Sequence, residues 1–134
     1  MTSKLAEAKV PSVPTTATSS GVIEVTKGSN PADALKNSLE QQIRLEQFRI
    51  LELNAKQAVE EYPLQPFFHY AYGLALFKNN KRQNAISSLE TALDYLLDDI
   101  ALANSIYKVL AEAYTETGNT FKANEYLRKV KPGF

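Results

Sequence analysis

The chain has 134 residues, of which 44% are apolar and 22% charged, with fifteen basic residues balancing fifteen acidic ones. That size fits one domain with a real core, and the balanced charge argues against a nucleic-acid surface, which needs a basic excess on one face. No cysteine is present, so disulfides, thiolate metal sites and cysteine nucleophiles are excluded.

Residues 1–30 hold two of the five glycines, two of the six prolines and many Ser and Thr, as in Pro11-Ser12-Val13-Pro14-Thr15-Thr16. Such a segment buries too little apolar surface to offset its ordering entropy, and it reads as a flexible arm. Ser3 to Val10 could form a helical turn or two, and Val22-Ile23-Glu24-Val25 could extend along another surface. Met1 to Val10 lacks the apolar block of a signal peptide. No run is long enough to span a bilayer. The expected location is cytoplasmic.

From Asn30-Pro31-Ala32-Asp33 onward the pattern is helical. Asn30 suits an N-cap, Pro31 the first helical position, and Asp33 complements the helix dipole. Helices are predicted near 32–44, 47–61, 65–79, 82–96, 100–116 and 119–130. Pro63 cannot continue a helix. Gly118 is a natural left-handed stop, and Asn79-Asn80 does the same job less well.

A period emerges from the helix pairs. Ala85-x3-Leu89-x2-Ala92 has an earlier copy in Leu51-x3-Ala55-x2-Ala58 and a later one in Ala123-x3-Leu127-x2-Val130. The copies start at positions 51, 85 and 123, so the second interval exceeds the first by four. A marker lies twelve residues before each copy: Leu39, Gly73 and Ala111. In this spacing the chain resembles the tetratricopeptide repeat, a pair of antiparallel helices of about 34 residues, which is the first interval. The middle unit carries the likeness best, through His69-x2-Tyr72-Gly73-x2-Leu76. The last reads Tyr107-x2-Leu110-Ala111-x2-Tyr114, and the first is degenerate, Leu35-x2-Ser38-Leu39-x2-Gln42. His69 replaces the usual Trp. Four extra residues between Asp94 and Ala103 are expected to lengthen the fourth and fifth helices.

The resemblance implies an all-α fold of three antiparallel hairpins in a right-handed solenoid, with units at about 31–64, 65–98 and 99–132 after the arm. The pattern is also similar to the C-terminal part of longer bacterial proteins of this family. In the family the first helix of each hairpin lines a concave face. That implies a groove with Phe67, Tyr70, Leu74, Phe77 and Lys78 from the middle unit, Lys36, Glu40 and Arg44 from the first, and Lys108 and Glu112 from the third. An aromatic floor with charged walls suits a protein or peptide partner. The alternative is that these side chains pack against neighbouring helices or the arm. The carboxylate clamp of chaperone adaptors is not expected. Lys36 matches one of its slots, but the others hold Glu40, Ala71, Ser105 and Val109.

A second expectation is a homo-oligomer, formed through the last helix, where Tyr126 and Val130 would face outward, or by exchange of the arm. Nothing points to an enzyme, a cofactor or a metal. His69 is the only histidine and holds a slot that suits a core or rim residue. No nucleophile motif, phosphate-cradling loop or two-histidine motif occurs.

Overall fold

Three helix starts in this chain are fixed by a side-chain cap. Asn30 Oδ1 accepts the Asp33 amide at 2.8 Å, Asp99 Oδ1 accepts Leu102 at 3.0 Å and Asn119 Oδ1 accepts Lys122 at 3.1 Å. Each satisfies an amide that has no partner inside its own helix. The computed structural model describes residues 30–132. Among them the elements are α1 (Pro31–Arg44), α2 (Phe48–Glu61), α3 (Pro66–Lys78), α4 (Arg82–Tyr95), α5 (Ile100–Glu116) and α6 (Thr120–Lys129). The arm expected before Asn30 lies outside the described residues. The packing that follows is that of the unit Leu35–Phe134.

The three turns inside the hairpins are copies of one another. Glu46, Asn80 and Gly118 carry positive φ of 58°, 68° and 86°. Each follows a helix end. In each turn the next amide reaches back to a carbonyl in the last helical turn: Gln47 to Gln42 at 2.9 Å, Lys81 to Leu76 at 2.8 Å and Asn119 to Tyr114 at 2.8 Å. The left-handed residue itself donates to Ile43, Phe77 and Thr115 respectively. This is a Schellman motif used three times. Its left-handed residues follow one another at the same two intervals as the small-residue slots Leu51, Ala85 and Ala123.

Those slots form the core. Leu51, Ala85 and Ala123 are buried, as are Leu39, Gly73 and Ala111. At Gly73 two helices come close together. A β-carbon there would lie 2.7 Å from Leu89 Cγ. Beyond that contact, Leu76, Phe77, Ile86, Leu89, Ile106 and Leu110 share one cluster across α3, α4 and α5. Full burial of each large side chain stabilises the fold by about 1.5–3 kcal/mol.

The four extra residues go to one helix only. α4 has the same 14 residues as α2, whereas α5 has 17 against the 13 of α3. The expected lengthening of the fourth helix does not occur, because Leu96 turns to extended backbone after Tyr95. The additional turn sits at the start of α5, secured by the Asp99 cap. Among the described residues no helix is long and apolar enough to cross a membrane.

Candidate functional site

The groove residues expected from the sequence do not lie in one place. Leu74 and Phe77 are 7% and 8% exposed, so they belong to the interior and not to an open floor. The cause is stacking. Phe77 packs in the cluster with Ile106, Leu110 and Ala113 of the hairpin that follows, and Tyr70 lies against the same cluster. One repeat further along the chain, Tyr70, Leu74 and Phe77 correspond to Lys108, Glu112 and Thr115, and all three of these are exposed. A polar face at that position needs no further helix to cover it.

Near the start of α3 a short shelf stays partly open. Phe67 and Tyr70 are half-buried, with ring centroids 6.0 Å apart and planes tilted by 57°. Lys36 from α1 places its ammonium 5.4 Å from the Phe67 ring centroid, within cation–π range. Burial pushes the Tyr70 phenol above its usual pKa, and the Ser105 hydroxyl of α5 nearby partly counters the rise. The shelf is thus aromatic and bordered by one cation, with its only titratable phenol held neutral.

The other expected residues are distributed elsewhere. Lys78 leans on Phe48 and Phe77, at 5.6 and 6.0 Å from their ring centroids, and lines a cleft beside α2. Lys108 and Glu112 line a shallow hollow with Leu127 of α6. Glu40 and Arg44 are exposed on α1.

His69 occupies the interior, 8% exposed. Its Nε2 lies 2.6 Å from the Pro63 carbonyl, which can only accept, so Nε2 carries a proton. The ring also stacks on Tyr95, with centroids 5.5 Å apart. The outer face of α6 differs from expectation too. Tyr126 and Val130 are half-buried, while Phe121 and Leu127 are 72% and 52% exposed.

Sequence reasoning missed one polar centre. Glu90 Oε2 of α4 accepts the hydroxyls of Tyr114 at 2.7 Å and Tyr126 at 3.0 Å, tying α4 to both helices of the last hairpin. The two phenol rings stack at 5.9 Å and 12°, and Tyr126 also stacks on Tyr107. Loss of solvation, then the Glu90 hydrogen bond, then its charge, push the Tyr114 phenol up to about 12, and Tyr126 rises for the same reasons. The repeat pattern gave Tyr107 and Tyr114 slots in the last unit and left Tyr126 facing outward. It carried no signal for their shared acceptor.

No family model matches the chain, and no curated protein matches it. Solved structures do match. The globular C-terminal domain of P. aeruginosa LpoP aligns with a TM-score of 0.67 at 18% identity, covering 79% of this chain and 100% of that one. A point mutant of MamA aligns at 0.64 and 14% identity, covering 81% and 78% respectively. MamA of AMB-1 aligns at 0.62 and 15% identity, covering 75% and 57%. At these identities the shared property is the fold, a tetratricopeptide-like stack of helical hairpins.

Proposed function

We propose that this chain is a protein-interaction module, a scaffold or adaptor without catalysis, and that a partner segment lies across the Phe67–Tyr70 shelf. The observation that carries the reading is the shelf itself: two neighbouring aromatic rings, 6.0 Å apart and only partly buried, on a helix whose Phe68, Leu74, Leu76 and Phe77 are buried. Aromatic anchors of this kind dominate the energy of protein interfaces. The Lys36 ammonium beside them offers a charge to select the segment. The solenoid supports the reading in general terms, since such stacks expose long binding surfaces.

The test is a photo-crosslinking amino acid at position 67 of the full chain, in the native cell. A discrete adduct is expected, and it should disappear when Tyr70→Ala is combined with the label. If Tyr70→Ala costs several kcal/mol of stability, as core truncations do, and leaves capture intact, the shelf is core and the proposal fails. A second reading, self-association through α6, draws on the exposure of Phe121 and Leu127. Sedimentation velocity that shows a monomer at all micromolar concentrations sets it aside.

A further inference from the structure

The turn edge of the repeat carries a surface whose chemistry differs from that of the shelf. Between α2 and the α3–α4 turn lies an open cleft of about 620 Å³, lined by Asn79 together with Arg49, Glu52, Leu53, Lys78, Asn80 and Lys81. Three of these seven side chains are cationic and one is acidic, so the formal charge is three minus one, or two positive.

The single acid is already engaged. Glu52 Oε2 accepts Lys81 Nζ at 2.6 Å, and its Oε1 accepts Asn79 Nδ2 at 2.7 Å. The Lys81 hydrogen bond holds the Glu52 carboxyl below its usual pKa, so the acid stays ionised and keeps Lys81 at the rim. Asn79 Nδ2 also donates to the Phe48 carbonyl at 3.2 Å, which fixes the cleft wall. Arg49 and Lys78 are exposed beside it. Lys78 is steadied by the faces of Phe48 and Phe77. At the lip Leu53 is 69% exposed, and Ile50, one helical turn before it, is 50% exposed.

A partner that answers this surface must neutralise cations and cover aliphatic side chains together. We propose that the cleft docks an acidic segment of another protein carrying apolar residues, its carboxylates on Arg49 and Lys78 and its apolar groups on Leu53 and Ile50. Complementary charge supplies selection and approach rate, and the covered aliphatic groups supply affinity. A nucleic acid fits less well. Its backbone demands a longer basic stripe and would leave both aliphatic residues wet. The site is also separate from the shelf. Lys78 is eleven residues along α3 from Phe67, about 16 Å of helix, so either surface can fail alone.

The probe is a labelled ten-residue peptide alternating glutamate and leucine, titrated by fluorescence anisotropy against the full chain. It should bind, and more weakly as salt rises from about 50 to about 500 mM. Replacing its leucines by serine, or its glutamates by lysine, should weaken binding by about tenfold or more. Arg49→Glu with Lys78→Glu should do the same, and so should Leu53→Ser. These three positions are exposed, so the variants should stay folded, which circular dichroism checks. Phe67→Ala should leave peptide binding unchanged. The proposal is overturned if the acidic peptide fails to bind, if the charge-reversed variant binds it equally, or if a ten-nucleotide oligothymidylate binds as tightly.

Discussion

Replacement of Gly73 by alanine tests the central packing contact. The new methyl would meet Leu89 Cγ at 2.7 Å and Cδ2 at 2.9 Å, and the Ala85 carbonyl oxygen at 3.3 Å. Leu89 is fully buried, so it cannot swing into solvent. Overpacking of this kind costs about 1–3 kcal/mol. Alanine in mid-helix returns about 1 kcal/mol of helix propensity. The net expectation is a loss of about 1 kcal/mol, or about 4–8 °C in Tm for a domain of this size. Urea unfolding followed by circular dichroism measures it. The sharper version is a double-mutant cycle with Leu89→Ala, which alone should cost about 2–5 kcal/mol. Once the leucine is truncated, only the propensity gain and the Ala85 contact remain, and that contact is common to both backgrounds. Gly73→Ala should then be neutral or stabilising by up to about 1 kcal/mol. If it costs the same in both backgrounds, or stabilises the parent chain, close approach of α3 and α4 at Gly73 is refuted.

Two further predictions concern the turns and the tyrosine cluster. Glu46 is exposed in a left-handed conformation, which costs a non-glycine residue about 1–2 kcal/mol. Glu46→Gly should therefore stabilise the chain by about 0.5–1 kcal/mol after the greater freedom of an unfolded glycine is set against it, and an unchanged or lowered urea midpoint would count against the shared turn geometry. For the cluster the sign follows from linkage. Tyr114 keeps its proton to about pH 12 when folded, whereas an unfolded tyrosine releases it near pH 10. The stability from this group is thus complete below about pH 10 and is lost as pH rises towards about 12. Urea midpoints should fall between about pH 10 and pH 12, and less steeply in Tyr114→Phe. An identical alkaline slope in that variant would show that folding does not raise the Tyr114 phenol.

Much of the candidate site was legible as residue types and little of it as a place. Phe67, Tyr70, Leu74 and Phe77 share one stripe of α3 and look alike from the sequence. Two of them stay half-exposed and two are covered, because α5 stacks on one end of that stripe. Lys78 reads as the end of the same stripe, yet Phe48 from α2 draws it to another cleft. Glu90 looks like a solvated residue beside a core leucine. Only the meeting of three helices makes it the acceptor for two phenols.

The sequence by itself determined the helix ends, the three turns and the register of the repeat with its one longer interval. Those features rest on interactions within a few residues: caps at Asn30, Asp99 and Asn119, a left-handed residue after each first helix, and the repeat of small slots around Gly73. Tertiary structure alone decided which apolar side chains are core and which remain as surface. It also decided that the acid–tyrosine centre exists. The physical reason is that burial and partner choice depend on what a neighbouring hairpin brings over a face, and contacts between segments far apart in the chain leave no periodic trace in either segment alone.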